Sequence, residues 1–390
     1  LAAREAELKA ELKRLEGEKK AADQAAKTAP PDKAAEAKAA ADAAKKAVEK
    51  AKKDLDHHER SPLPFPTAYA VAEAPTKGNA KVQLKGNPEK PGPEVPRRFL
   101  AVLGGQTLAS DDTGSGRRAL ADWLVAESNP LTPRVLVNRL WHHHFGRGIV
   151  PTTSDFGKQG KPPTHPELLD WLARRFVENG WSIKAMHRLM LHSRAYRMSS
   201  ADHPANAEKD PGNEWLWRWN RRRLDAEVIR DSMLAVAGTL DREPGGEHPF
   251  PHPTTWGFTQ HHPFKAVYET NKRSVYLMTQ RFAKHPFLGI FDGADPNFST
   301  PFRVTSTTTL QALWFLNDPF VHAQAKAFAE RLAKEAGGDP AARVDLAYRL
   351  ALGRPPRSSE REAALAYVSG RPWDSFTRAL LRLAEFVYVD

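Results

Sequence analysis

Between Pro130 and Phe176 the chain encodes two amphipathic helices joined by a polar connection, and no other stretch narrows its possible folds as much. The first reads N-P-L-T-P-R-V-L-V-N-R-L-W-H-H-H-F-G-R-G-I-V. Val137, Leu140, Trp141, His144 and Phe145 recur every three and four residues, which places them on one face of a helix. The second opens on Thr164 with Glu167 three residues later, the pattern of a capping box. Leu168, Leu169, Leu172 and Phe176 form its apolar stripe. The connection, P-T-T-S-D-F-G, carries Asp155 and Phe156.

Helical signals continue on both sides. Arg117–Ala126 precedes the pair, Ser182 opens a helix expected to reach about Arg197, and Leu224–Ala237 is closed by Gly238. Asp318-Pro319, Asp339-Pro340, a Ser359/Glu362 capping box and Asp374 mark later starts. Gly337-Gly338, Gly353 and Gly370 mark stops. The expectation is a mainly α protein, with a helical bundle domain over residues 117–390 that contains a long irregular loop and a few short strands. No long alternation of strands and helices suggests a parallel sheet.

Two smaller regions come first. Over residues 1–60, Leu1, Leu8, Leu15 and Ala22 recur every seven residues. After Pro30-Pro31, Ala34, Ala41, Val48 and Leu55 do the same, which predicts an antiparallel, coiled-coil-like helical hairpin. A partner-binding coiled coil is the alternative. Residues 61–116 turn to Pro, Gly and β-formers. Thr67–Ala72 and Ala80–Leu84 read as strands, K-G-N-P and K-P-G-P as turns, and 106–116 as a linker whose Asp111 and Asp112 are solvated or hold a cation. Further on, Trp215, Trp217 and Trp219 alternate as in an extended or half-buried segment, and Lys272–Gln280 reads as a strand.

The 390 residues contain no cysteine, which excludes disulfides, thiolate metal sites and covalent haem attachment within them. No run approaches the ~18 apolar residues of a membrane span. The start at Leu1 rather than Met reads as a fragment or processed form. The formal charge is +11, but residues 1–60 hold 15 Lys and Arg against 13 Asp and Glu, so most of the excess is Arg along later helices. Arg221, Arg222 and Arg223 are the one basic block. Solvated or ion-paired faces explain this distribution; phosphate contact is the competing reading.

The candidate site lies in and after the aperiodic stretch Leu240–Asn271, which is rich in proline, histidine and aromatics. Such long loops inside domains are functional or disordered, and the aromatics favour packing. His248, His252, His261 and His262 are free to converge on non-helical backbone. Asp292, Asp295 and Asn297 follow within six residues. A hard cation can use those oxygens; Asx turns are the bland alternative. The loop is expected to fold over Arg273–Arg303 and wall a pocket holding His248, His261, Asp292, Asp295 and Asn297, with Trp256 or Tyr276 on its rim. The metal candidates are His248, His252, His261, His262, Asp292 and Asp295.

Other constellations carry less. His142, His143 and His144 are consecutive on a helix and point about 100° apart, so they cannot share one ion. His144 reads as a hydrogen-bonded core residue, and His142 sits with Asn138 and Arg139 on a polar face. Glu227 and Asp231, flanked by Arg223 and Arg230, read as an intrahelical ion-pair ladder rather than a catalytic carboxylate pair. There is no nucleophile elbow, P-loop, dinucleotide fingerprint or zinc-protease motif.

The opening pair, S-D-F-G, H-P-E-L-L-D-W-L-A-R-R-F, N-R-R-R-L-D-A-E-V-I-R-D-S-M-L-A-V-A-G, R-S-V-Y-L, D-P-N and L-Q-A-L-W-F-L-N-D-P-F-V occur in this order. Together they resemble the C-terminal domain of unknown function of large exported planctomycete proteins, which often also carry a planctomycete-type cytochrome c domain. The resemblance covers about residues 95–390. It implies a periplasmic or cell-surface location and a missing N-terminal part that can hold haem c, while no cofactor is expected within this chain beyond an uncertain metal ion. It supplies no catalytic residues. Thr309 stands where relatives have Pro, which puts the start of that helix in question.

Three readings of function follow. The first is an exported helical module that binds a carbohydrate-like ligand or a protein partner, as an accessory part of a cytochrome-c-linked or glycan-processing protein. The second is an enzyme, such as a metal-assisted hydrolase, with its site in 248–303. The third, nucleic-acid or polyanion binding, rests only on charge and W-L-W-R-W-N-R-R-R.

Overall fold

The computed structural model describes residues 2–30, 33–60, 70–109, 112–246 and 268–389. Among these the protein is mainly α, with only two small antiparallel strand pairs. It divides into two compact units.

In the first unit α1 (Ala2–Thr28) and α2 (Ala34–Arg60) form the predicted hairpin. The heptad positions face inward: Leu8 and Val48 are buried, and Leu15, Ala22, Ala41 and Leu55 are half-buried. Lys33 N–H donates to Pro30 O at 3.0 Å in the turn, and Lys52 pairs with Glu16 across the seam at 3.2 Å.

The second unit begins with a small ribbon. β1 (Ala80–Gln83) pairs antiparallel with β2 (Pro91–Val95), and Lys85 and Gly86 turn between them at positive φ. The K-P-G-P run is therefore strand rather than turn. In a two-stranded ribbon every strand is an edge, where Pro91 and Pro93 forfeit no interior ladder bond. Of the other expected strand, residues 70–72 are irregular and the rest lies outside the described residues.

α3 (Arg117–Val125) leads to the opening pair, α4 (Leu131–Phe145) and α5 (Pro166–Glu178), and then α6 (Ile183–Leu191). Their stripes make one core: Val137, Trp141, Phe145, Leu169, Leu172, Phe176, Met186 and Met190, joined by Ile149, Val150 and Trp219. Ser182 caps α6 as expected, but the helix stops at Leu191. The Thr164 capping box does not form. His165 takes the cap position, and the Thr164 hydroxyl instead bonds His165 Nδ1 at 2.9 Å and donates to Ile149 O at 3.3 Å.

α7 (Pro204–Lys209) stands in the polar region before the tryptophans. Those tryptophans do not form an extended run, because Asn213 and Leu216 adopt left-handed backbone and fold the segment into a tight turn. β3 (Arg222–Arg223) then enters α8 (Ala226–Ala237). Lys272–Gln280 is not a strand. Asp231 captures Ser274 N–H at 2.8 Å, and the chain coils into a single 3-10 turn over Ser274–Tyr276.

The remaining helices are α9 (Pro286–Ile290), α10 (Thr309–Asn317), α11 (Pro319–Ala336), α12 (Pro340–Leu352), α13 (Ser358–Val368), α14 (Trp373–Leu380) and α15 (Ala384–Val387). With α8 they bury a second core around Met233, Phe291, Val321, Phe328, Val344, Phe376 and Leu381. β4 (Tyr388–Val389) closes it by pairing with β3. Asp318 and Asp339 cap α11 and α12 as expected. α10 starts cleanly because Thr308 and Gln311 form a capping box, leaving Thr309 at the first helical position that proline favours. α13 begins at Ser358, ahead of the predicted Ser359/Glu362 box. Glu360 accepts from Arg357 N–H at 2.7 Å and sets the register.

Candidate functional site

The histidines His248, His252, His261 and His262 and Trp256 lie outside the described residues. The carboxylates of the predicted site separate into two clusters. Asp292, at φ 59, accepts from Arg223 Nη2 at 2.7 Å, Ser306 N–H at 2.9 Å and the Ser306 hydroxyl at 2.8 Å. Arg223, whose side chain is only 5 % exposed, also donates to Ser306 O, Phe291 O and Gln311 Oε1. Burial pushes the Asp292 carboxyl up, but the Ser306 amide, Arg223 and the Ser306 hydroxyl outweigh it and hold it below its ordinary range.

Asp295 belongs elsewhere. It pairs with Lys284 at 2.7 Å and accepts from Asn297 N–H at 2.9 Å, while Asn297 Nδ2 donates to Arg281 O at 3.0 Å. The Asp295 cluster is the Asx turn that D-P-N favours, whereas Asp292 ties together segments distant in sequence. Among the described residues no three His, Asp or Glu side chains are grouped to hold a metal ion. Tyr276 packs against Gly245, where an added Cβ would lie 2.7 Å from its ring.

The ladder predicted along α8 is replaced by tertiary contacts. Glu227 accepts from Arg303 at 2.8 Å, and Arg223 serves Asp292. Arg230 points inward and borders a cavity of about 500 Å³. α8, the starts of α9 and α11, and the facing side of α10 enclose it with residues 268–271. Its apolar wall includes Phe287 and Trp314, 4.8 Å apart, and Phe320, 6.1 Å from Trp314; behind them Phe291 meets Phe287 at 4.8 Å and Trp314 at 5.2 Å.

Polar side chains from Arg230, Glu269, Thr270, Asn271, His285, Asp318 and Gln324 also line this cavity. The Arg230 side chain is 7 % exposed, and its guanidinium lies 5.2 Å over the Phe320 ring. It donates to Lys272 O at 3.1 Å, Ser274 Oγ at 3.3 Å and Thr270 O at 2.5 Å. Asp231, at 3.9 Å, is its nearest carboxylate among the described residues. Burial lowers the arginine's pKa and Asp231 opposes that, yet an arginine stays protonated. His285 has a buried Nδ1 without a hydrogen-bond partner among the described residues. Burial, then the charge of Arg230, pulls its imidazole below the ordinary range, which favours the uncharged form. Asp318 is held by its cap to Phe320 N–H.

Sequence reasoning missed this site, although a signal existed. Ala226, Ile229, Arg230, Met233, Leu234 and Ala237 form the buried stripe of α8, and an arginine inside such a stripe must meet polar partners there.

The histidine triplet resolves as separate roles. His144 Nε2 and His187 Nδ1 share a hydrogen bond at 2.8 Å. Burial lowers the pKa of His142 and His143, and neighbouring arginines add to it. Arg222 donates to His143 O at 2.8 Å. Two arginines of the basic block thus serve the fold, which weakens the polyanion reading. Asn138, expected on a polar face, is fully buried.

The cavity thus offers ring faces, one buried cation and an imidazole, a combination suited to holding an organic ring with a hydrogen-bonding substituent. No curated protein and no solved structure matches the chain. A family model matches residues 116–368, which span the opening helix pair, the first core, the cavity and most of the second core, and the chain belongs to that family, described as protein of unknown function (DUF1553).

Proposed function

We propose that the chain is a ligand-binding module and that the cavity beside Arg230 is its binding site. One observation carries this reading. Among the described residues, a cation buried among rings keeps no carboxylate closer than 3.9 Å, in a cavity large enough for a small cyclic ligand. Among its described lining residues the chemistry is that of recognition: ring faces from Trp314 and Phe320, donors from Arg230 and His285, and acceptors on the rim. The setting we assign is an exported accessory part of a cytochrome-c-linked or glycan-processing protein, and the family resemblance supports it.

The test is a screen of small cyclic compounds by ligand-observed NMR, repeated with Phe320→Ala. Binding of flat ring compounds with an acceptor group, lost in the variant, supports the proposal. Hits that persist unchanged in Phe320→Ala, or a screen with no hits, overturn it.

A further inference from the structure

The turn that carries the tryptophans points to a second site, which draws on none of the cavity's residues. Trp215 is 63 % exposed, although Trp219, four residues later, is in the core. The backbone beneath it is firmly braced. Asp210 Oδ1 accepts from Glu214 N–H and Oδ2 from Trp215 N–H, both at 2.9 Å, and Asp210 O accepts from Trp217 Nε1 at 2.9 Å. Asn213 is buried and accepts from Trp217 N–H at 2.8 Å while donating to Arg218 O at 2.7 Å. Two non-glycine residues, Asn213 (φ 48) and Leu216 (φ 54), hold left-handed backbone. Leu216 thereby turns toward the first core, and Trp215 is left facing outward.

Beside this indole lies a polar notch. Its lining includes Arg147, Thr164, His165, Asn213 and Glu214, and its volume of about 10 Å³ suits one water-sized group. His165 joins the two features: it lines the notch, and its ring meets the Trp215 ring edge-on at 5.3 Å. Arg147 Nη2 and Glu214 Oε1, paired at 2.7 Å, present a donor and an acceptor at the rim.

We infer that Trp215 is the stacking platform of a saccharide subsite, and that the notch receives one hydroxyl of the stacked ring. An exposed indole on a braced backbone matches the apolar C–H face of a pyranose, and a tryptophan has few rotatable bonds to immobilise. The paired donor and acceptor match vicinal hydroxyls. A single-stranded nucleic acid also stacks on tryptophan, but it needs a cationic groove for its backbone. Here the carboxylates of Asp202, Asp210 and Glu214 offset Arg147 and Arg218. The geometry therefore favours a neutral glycan.

Cello-, xylo-, manno- and chitohexaose, titrated into the full chain with tryptophan fluorescence and calorimetry, test this inference. At least one is expected to bind. Trp215→Ala should weaken that binding by at least about tenfold, the loss typical of a central tryptophan contact. Trp215→Phe should lose less, and Trp171→Ala, at an exposed tryptophan of α5, should change nothing. Because residue 215 is exposed, the melting temperature of both Trp215 variants should stay within ~2 °C of wild type, so loss of binding cannot be ascribed to unfolding. Absence of binding to all four sugars up to about 10 mM overturns the inference, as does binding that survives Trp215→Ala. Binding of a thymidine 20-mer that depends on Trp215 overturns it in favour of nucleic acid.

Discussion

Asn138 and Val150 exchange two hydrogen bonds: Val150 N–H donates to Asn138 Oδ1 at 2.8 Å, and Asn138 Nδ2 donates to Val150 O at 3.0 Å. A fully buried amide on α4 thus substitutes for a strand partner and pins the loop that follows the helix. Gly148 belongs to the same joint, since a Cβ there would stand 2.5 Å from Val150 O and 2.9 Å from the Asn138 amide. Replacing Asn138 by Ala leaves two buried backbone groups unpaired and should cost about 2–4 kcal/mol in chemical denaturation. A loss below about 0.5 kcal/mol would mean that the loop holds its shape without the amide.

The Arg223–Asp292 contact should behave as a buried pair. Asp292→Ala removes the acceptor of Arg223 and of Ser306 and strains a left-handed position, so a loss of about 3 kcal/mol is expected. Asp292→Asn tolerates that backbone and should lose less. In a double-mutant cycle with Arg223→Met the coupling should exceed about 1 kcal/mol; additivity would show that the pair is not a unit.

Acid should loosen the end of the second core. Arg354 grips Glu360 with two bonds, at 2.7 and 2.9 Å, and Glu385 with two more, at 2.6 and 2.7 Å. The Arg354 bonds outweigh burial and, with the Arg357 amide, hold Glu360 down to about 2. A folded-state pKa below the unfolded one stabilises at pH values above the unfolded value, near 4.3, and that stability is lost as pH falls toward 2. At pH 7 we expect it to be about 2 kcal/mol after solvent screening. Melting followed from pH 6 to pH 2 should therefore show a fall that begins below about pH 5 and is shallower in Glu360→Gln. Equal slopes would assign the acid lability to other groups.

A fragment cut at the family's boundary should fail to fold cooperatively. Phe376, Leu380, Leu381, Phe386 and Val387 lie beyond residue 368, yet all belong to the second core. The Thr377 hydroxyl donates to Ala325 O at 2.7 Å inside it. Removing five such side chains costs about 1.5–3 kcal/mol each, which together rivals the whole stability of a domain. Circular-dichroism melts of residues 116–368 and 116–389 should show a cooperative transition only in the longer fragment. A cooperative melt of the shorter one would show that α14 and α15 are dispensable.

Local signals proved readable wherever neighbours in sequence decide the outcome. The heptad positions Leu8 and Val48 are the buried ones in the hairpin, the stripes of α4 and α5 meet in one core, and Ser182, Asp318 and Asp339 cap the helices they announce. Distant partners decide the rest. Ser274 coils rather than extends because Asp231, 43 residues away, takes its amide, and Asn138 is buried because Val150 needs it. Asp292 and Asp295 were recognisable as oxygen-rich turns, but only the fold shows that Arg223 and Lys284 draw them apart.

Arg230 makes its hydrogen bonds to Lys272 O and Thr270 O, main-chain oxygens, and to a single side chain, that of Ser274. It therefore responds to the route of the chain past α8 and hardly to the identity of the residues on it. As far as Arg230 is concerned, positions 270 and 272 need only keep that route, although Lys272 also pairs with Asp241. An arginine recurring alone in an otherwise apolar α8 stripe would be the mark this arrangement leaves in an alignment. It would also mark relatives that have kept the cavity, even where the residues facing it have changed to suit another ligand.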